Sequence, residues 1–392
     1  MELRYSAKFA PGLNEDAFFE SMPARPAVFA LFPEAPDGSP YLSRTRDLRR
    51  RLKRLLGTPH ASSRRLNLRA QARRVEYSLV GSAFEAQWWL YVLNKCYYPK
   101  IYRQRLRLRP PALLKLNLSN RFPRLFPTRR ISNDGAAYYG PFRSRAEAER
   151  WAGQFLDFFK IRRCVEDLNP DPSHPGCVYS QMKMCLAPCF QGCTDEEYAH
   201  EVGRVATSLD GGGQPLLRVL ESERSSAAES LEFELAAKIH RRIEKAHEIL
   251  RMKAELVRNL RELHGVIVES SAEPQSVVFF RVCAGDLRGP ATLSFDANVL
   301  NPAPLDEQLH NVLDSLAVGA PLVGALGERR SAKQGRHKAC PYGPWEHLSL
   351  LARWYYSSFR EGEFVMLPPD QHIPHARLIR ICRKVLANPS RQ

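Results

Sequence analysis

The chain has 392 residues and a hydrophobic fraction of 44%, enough apolar material for two or three globular domains. No stretch approaches 18 consecutive apolar residues, which excludes a membrane-spanning helix, and residues 1–12 lack the charged-then-apolar layout of a signal peptide. We therefore expect a cytoplasmic protein that does not bind membranes.

Positive charge is concentrated in the first part of the chain. Of the net charge of +16, residues 1–150 carry +17, from 29 Lys and Arg against 12 Asp and Glu, and the remainder carries −1. Arg outnumbers Lys by 45 to 13, and its planar fork of donors suits phosphate oxygens and base edges. This distribution predicts nucleic-acid binding. The alternative is a basic surface that only reflects an Arg-rich coding bias.

The N-terminal part predicts a small α/β module. An apolar strand is expected over 26–32, and a second strand begins at Tyr41. A helix is expected over 43–57, because four leucines recur there at spacings of three and four and arginines fill the other faces. A strand over 75–80 and a helix over 83–98 follow.

Helices dominate the middle of the chain, and strands follow them. The expected elements are a strongly basic stretch over 101–130, a hairpin at 133–135, helices over 145–161 and 194–209, a helical hairpin over 215–263 and strands over 265–295. Thr194 is the expected N-cap of its helix, with Glu197 completing a capping box.

Five cysteines crowd into a short segment. Cys164, Cys177, Cys185 and Cys189 follow the spacing C-x12-C-x7-C-x3-C, and Cys193 comes next without an assigned role. Clustered cysteines in a cytosolic chain are more often metal or cluster ligands than disulfides. Four thiolates complete a tetrahedral zinc site or hold the irons of a cubane cluster, and the spacing does not decide between them. The alternative is a set of free cysteines in a small core.

Three segments carry a family resemblance. They are YYGPFRSRAEAE (138–149), CVYSQMKMCLAPC (177–189) and ESLEFELAAKIHRRI (229–243). In this order and spacing they resemble UvrC, the nuclease subunit of bacterial nucleotide excision repair, and the third resembles the UVR motif that UvrC shares with UvrB. The resemblance covers about residues 20–300, roughly the N-terminal half of a full-length UvrC. It implies a [4Fe–4S] cluster on the four cysteines, with zinc as the alternative.

The N-terminal part is similar to the GIY-YIG nuclease domain, whose chemistry needs a Tyr hydroxyl, an Arg near the scissile phosphate and a Glu that holds a divalent metal. The resemblance places two remnants of that site at Tyr41 and Arg51. The other tyrosine is replaced by Phe29, the metal-binding glutamate by Leu90 and an asparagine by Tyr102. Because leucine cannot ligate Mg²⁺, we expect no bound Mg²⁺ and no GIY-YIG cleavage.

Glu85 is the nearest carboxylate on the same predicted helix as Leu90. Five residues at about 100° each place it about 140° around the helix axis from Leu90. We therefore do not expect Glu85 to replace the missing metal ligand.

Seven basic residues of the predicted helix and its approach are the candidate contacts to duplex DNA. They are Arg44, Arg46, Arg49, Arg50, Arg51, Lys53 and Arg54. Contacts of this kind to phosphates give an affinity that falls with salt. The alternative is an ordinary solvated helix face, but the basic stretch over 101–130 favours binding.

The resemblance also implies a partner, UvrB. The UVR segment would form a hairpin that docks the matching hairpin of UvrB, with Leu231, Phe233, Glu234, Ala236 and Ala237 at the contact. The alternative is a helical hairpin whose apolar stripe packs only within the chain.

Together these features predict an α+β multidomain protein. The expected parts are a degenerate GIY-YIG nuclease-like domain over 1–105, a basic and cysteine-cluster domain over 106–210, a UVR hairpin over 211–263 and a mixed β-hairpin and helix region over 264–392. The last region shows no RNase H-like nuclease or helix-hairpin-helix pattern, so a second incision activity is not expected. The predicted function is a catalytically inactive scaffold that binds UvrB and DNA. The alternatives are a shortened UvrC-type excinuclease that makes a single Mg²⁺-dependent incision and a zinc-stapled DNA-binding protein without a role in repair.

Overall fold

A computed structural model describes most of the chain. The described residues are 3–35, 38–59, 65–166, 168–296, 303–318, 344–368, 370 and 372–387. They form an α+β structure in which three four-stranded antiparallel sheets are covered by helices. Within these ranges every helix is too short or too polar to cross a lipid bilayer.

The first sheet lies between helices on its two faces. Its strands are β1 (Tyr5–Lys8), β2 (Ala27–Pro33), β3 (Tyr41–Thr45) and β4 (Ala72–Leu79), in the order β1-β4-β2-β3, with helices α1 (Glu15–Ser21), α2 (Leu48–Leu56) and α3 (Ala83–Tyr97). Consecutive strand residues point to opposite faces, so Phe29 packs with the α2 leucines while Val28 and Ala30 pack with Ala86 of α3. The strand β1 and the helix α1 were not predicted.

The helix expected over 43–57 begins later than its pattern indicates. Residues 41–45 pair with β2 as a strand, and Asp47 caps α2 by accepting a hydrogen bond from the Arg50 amide at 2.9 Å. The prediction was therefore wrong for Arg44, which lies on β3, and for Arg46, which precedes the cap.

The second sheet carries the middle of the chain. Its strands are β5 (Ala112–Leu116), β6 (Leu125–Thr128), β7 (Ala137–Phe142) and β8 (Arg258–Asn259), in the order β6-β5-β7-β8, preceded by α4 (Tyr102–Arg105). Helices α5 (Arg145–Leu156), α6 (Val178–Gln181), α7 (Asp195–Asp210), α8 (Gln214–Glu229) and α9 (Phe233–Met252) accompany it.

Two predictions about these helices have different outcomes. The capping box of Thr194 and Glu197 is present at the start of α7, as predicted. The helix expected over 145–161 ends at Leu156, and the chain continues in tight turns in which the Phe158 and Phe159 amides donate to carbonyls three residues back. The apolar sequence pattern extends past the end of α5 because these two phenylalanines are buried in the same core as the helix.

The third sheet shares a core with the second sheet and with α3. Its strands are β9 (Gly265–Ser270), β10 (Ser276–Cys283), β11 (Asp286–Ser294) and β12 (Glu363–Met366), in the order β11-β10-β9-β12, with helices α10 (Leu305–Val318), α11 (Trp345–Tyr355) and α12 (His375–Ala387). The strands expected over 265–295 are therefore confirmed. One apolar core joins Trp88 of α3, Leu113 of β5, Phe280 of β10 and Leu351 of α11, so α3 and α11 sit where the three sheets meet.

Candidate functional site

Three of the five GIY-YIG positions lie together beside α2. The Arg51 guanidinium donates from Nη2 to the Tyr41 hydroxyl at 3.1 Å, and the Phe29 ring centre lies 6.3 Å from that of Tyr41. The Nε atom of Arg51 is buried and has no hydrogen-bond partner among the described residues. Arg51 and Tyr41, ten residues apart in sequence, are thus held together by a hydrogen bond.

The other two positions lie elsewhere. Leu90 packs on the opposite face of the first sheet, in the cluster that contains Val28 and Leu93. Tyr102 is buried at the junction of the sheets, where its hydroxyl donates to Glu346 at 2.8 Å. The structure therefore does not bring either residue to the Tyr41–Arg51 pair.

The Glu85 carboxylate is buried and hydrogen-bonded at the start of its own helix. It is 7% exposed, and its carboxylate accepts a hydrogen bond from the Gly81 amide at 2.8 Å. Burial raises the pKa of Glu85 to about 7, although the Gly81 amide opposes the shift. A carboxyl group that is half protonated near neutral pH is a poor ligand for Mg²⁺, which prefers ionised oxygen donors.

The candidate DNA contacts divide into structural and free arginines. Arg49 donates from Nε to the Met22 carbonyl at 2.7 Å and from Nη2 to the Glu20 carbonyl at 3.0 Å, so it holds the end of α1 against α2. Arg44 donates to the Ala83 carbonyl at 3.2 Å. The remaining four side chains form what we call the basic face: Arg46, Arg50, Lys53 and Arg54. All four are exposed, and none forms a salt bridge within the described part of the chain.

The four cysteine sulfurs share one neighbourhood. Cys177 caps α6, and Cys189 lies in the short 3-10 helix Pro188–Phe190, so two local turns carry two of the thiols. The Ala187 amide donates to the Cys185 sulfur at 3.3 Å. Burial raises the pKa of Cys185 to about 11, and the nearby sulfurs of Cys164, Cys177 and Cys189 add to the shift.

Both groups expected from the spacing take four thiolates, either around one zinc ion or one on each iron of a cubane cluster. Among the described residues, no set of three or more His, Cys, Asp or Glu side chains is placed so that it could hold a metal ion. A backbone amide directed at sulfur, as at Cys185, is a contact that tunes metal–thiolate groups.

The hairpin of α8 and α9 has a buried stem and an exposed apolar tip. Leu217, Leu220 and Ile239 are buried in the core of the second sheet. At the tip, Leu231 is 71% and Phe233 is 67% exposed. Packing within the chain therefore buries only part of the apolar stripe predicted from sequence.

The other candidate partner contacts lie close to that tip. Glu234 and Ala237 are exposed in the first turns of α9, and Ala236 is partly buried against the core. Leu231 has a φ of 59°, in the left-handed region, and turns the chain between the two helices.

Sequence reasoning did not predict that five arginines lie around one cavity. Arg107, Arg109, Arg129, Arg143 and Arg353 line it, where the approach to β5, the end of β7 and the helix α11 meet. The basic stretch over 101–130 signalled three of them. Nothing local pointed to Arg143 or Arg353.

Comparison with known proteins identifies the middle of the chain. Residues 112–208, which contain the four cysteines, match the family model described as UvrC/Cho excinuclease, middle domain. This chain is similar to UvrC proteins over a longer stretch as well. It is 28% identical over 341 residues to the UvrABC system protein C of Geobacter sp. strain M21, covering 82% of this chain and 50% of that protein.

Other relatives carry the same name. The UvrABC system protein C of Carboxydothermus hydrogenoformans is 27% identical over 277 residues, which cover 70% of this chain and 45% of that protein. The one from Acidobacterium capsulatum is 32% identical over 234 residues, covering 58% of this chain and 36% of that protein. The chain spans about half the length of the curated relatives it matches. No solved structure matches it.

Proposed function

We propose that this UvrC relative is a DNA- and UvrB-binding protein of nucleotide excision repair that does not itself cut DNA. The observation that carries the proposal is the separation of Leu90 from the Tyr41–Arg51 pair by the thickness of the first sheet. The position that would supply the metal ligand is apolar and faces away from the remaining arginine. Without a metal at the scissile phosphate, the developing charge has no divalent partner.

DNA binding rests on the basic face. Its four side chains, three on α2 and Arg46 just before it, are exposed, and none is paired with a carboxylate of the described residues. They are free to contact phosphates, which position a protein on a duplex without reading its sequence.

UvrB binding rests on the hairpin tip. Leu231, Phe233 and Leu235 are exposed within five residues, although most large apolar side chains nearby are buried. An apolar tip flanked by charged residues suits a complementary helical hairpin, in which such anchors become buried. The names of the relatives, which are parts of the UvrABC system, support UvrB as that hairpin's source.

The four cysteines would hold a [4Fe–4S] cluster through Cys164, Cys177, Cys185 and Cys189. The cluster would tie the irregular segment that carries these residues to the second sheet, a structural role that replaces apolar core in a loop-rich region. Anaerobic purification should give a brown protein with broad visible absorption and iron content. A colourless protein that contains stoichiometric zinc would refute the cluster and support the zinc alternative.

A second candidate function is a single Mg²⁺-dependent incision. It is favoured by the hydrogen bond between Tyr41 and Arg51, the two positions of the GIY-YIG pattern that this chain keeps. The metal would then need a ligand that the family pattern does not supply.

An incision assay separates the two functions. A lesion-bearing duplex is incubated with UvrA, UvrB, Mg²⁺ and the full chain, alongside Arg51→Ala and Leu90→Glu. We expect no cleavage by any of the three, because a carboxylate at position 90 faces the other side of the sheet. DNA and UvrB should still be retained in a pull-down. Cleavage by the wild type that Arg51→Ala abolishes would overturn the scaffold and establish the nuclease.

A further inference from the structure

The cavity of five arginines is the strongest unexplained charge in the described part of the molecule. It has a volume of about 260 Å³ and is lined by Arg107, Arg109, Arg129, Arg143 and Arg353 together with prolines, Phe142 and Tyr356. Among the described residues no carboxylate lines it. Glu147 lies near Tyr356 but outside the lining.

Hydrogen bonds to backbone carbonyls hold two of these arginines in place. Arg353 of α11 donates to the Arg107 carbonyl at 2.9 Å and to the Leu106 carbonyl at 3.4 Å. Arg129 donates to the Pro110 carbonyl at 3.3 Å. These bonds use part of each donor fork and leave the positive charge uncompensated, since carbonyl oxygens carry no net charge.

The positive charges of the cavity are not neutralised by ion pairs. Within the described ranges none of the five arginines forms a salt bridge. Burial, and to a lesser extent the nearby charge of Arg44, lowers the pKa of Arg353. Arg44 belongs to β3, so the cavity adjoins the strand that leads into the basic face.

One of the five is kept at a conformational cost. Arg107 follows α4 with a φ of 50°, in the left-handed region that normally takes glycine at the end of a helix. An L-residue there costs roughly 1–2 kcal/mol. This residue is one of those that line the cavity.

We propose that this cavity binds a backbone phosphate of DNA and extends the contact made by the basic face across Arg44 to α11. Guanidinium forks bind phosphate oxygens in pairs, and a phosphate would relieve the repulsion among the five charges. The inference rests on the proposed DNA binding and adds to it a second, separate phosphate site. A free phosphate or pyrophosphate offers the same chemistry, and the experiment distinguishes the two sources.

Fluorescence anisotropy of a labelled duplex, titrated with the full chain at several salt concentrations, tests the site. The cavity variant is Arg107→Gly with Arg143→Ala. The matched control removes two exposed arginines of the hairpin, Arg218→Ala with Arg241→Ala. We expect the cavity variant to bind at least about tenfold more weakly, and the slope of log K against log salt to fall by about 0.9 for each phosphate that is no longer neutralised. The control should stay within about twofold of the wild type.

Stability and competition measurements complete the test. Because Arg107→Gly relieves the left-handed strain, the cavity variant should melt no lower than the wild type, so weaker binding cannot be assigned to unfolding. If the cavity variant binds DNA as tightly as the control variant, the phosphate site is refuted. If Arg50→Ala with Arg54→Ala weakens DNA binding in the same experiment, the proposed DNA binding through the basic face still stands. If the wild type does not bind DNA but is stabilised by pyrophosphate, the cavity binds a free anion and not a DNA phosphate.

Discussion

Glu85 gives a quantitative prediction about stability and pH. Its pKa is raised from 4.5 to about 7 in the folded protein because its carboxyl group is buried at the start of α3. For an acid whose folded pKa is raised, the stabilising contribution is fully present below the unfolded pKa and is lost as the pH rises through the folded pKa. A shift of this size corresponds to about 3 kcal/mol, lost between about pH 4.5 and pH 7.

The substitution Glu85→Gln should remove this loss. The amide oxygen can still accept from the Gly81 amide, but the side chain no longer ionises. We therefore expect the variant to match the wild type within about 1 kcal/mol at pH 4.5 and to be more stable by up to about 3 kcal/mol at pH 8. Urea unfolding followed by the fluorescence of Trp88 and Trp89, which lie on the same helix, measures both free energies.

An exposed glutamate provides the control for this substitution. Glu20→Gln removes a carboxylate from an exposed position of α1 and should follow the wild type at both pH values. Equal stability of Glu85→Gln and the wild type at pH 8 would refute the reasoning. A difference that is the same at pH 4.5 and pH 8 would assign the effect to packing and not to charge.

Two further predictions separate structural from functional side chains. Arg49→Ala should lower the free energy of unfolding by about 1–3 kcal/mol, because two carbonyls at the end of α1 lose their donor, while DNA affinity changes less than twofold. Arg50→Ala should weaken DNA binding and leave the free energy of unfolding unchanged. Urea unfolding measures the stability of both variants, and fluorescence anisotropy measures their DNA affinity. Leu231→Gly should leave the melting temperature unchanged or higher, because glycine tolerates the positive φ, and should weaken capture of UvrB in a pull-down. Undiminished capture would exclude Leu231 from the docking surface.

Local signals in the sequence were enough for elements that are determined locally. The capping box at Thr194 and the strands around the Ala284–Asp286 turn depend on residues within a few positions of one another. The start of α2 was misplaced because residues 41–45 become a strand only through pairing with β2, and the arginines there continue the helical charge pattern. The two-residue strand β8 pairs with β7, more than a hundred residues away, and has no local signature.

The candidate sites show the same division. The spacing of the cysteines and the ten residues between Tyr41 and Arg51 could be assigned along the chain. The arginine cavity could not, because Arg353 reaches the Arg107 carbonyl from 246 residues away. The position of Leu90 relative to Arg51 depends on which face of the sheet each helix covers, and neither helix carries that information alone. The predicted domain boundaries stay predictions.

The burial of α3 explains why position 90 favours an apolar side chain. One side of the helix, with Ala86, Leu90 and Leu93, packs on the first sheet, and the other side, with Phe84 and Trp88, packs in the core shared with the third sheet. A carboxylate at position 90 would enter an apolar layer, where an ionised group without a partner is strongly destabilised. Leucine at this position lets α3 make apolar contacts on both sides, with the first sheet and with the core shared with the third sheet.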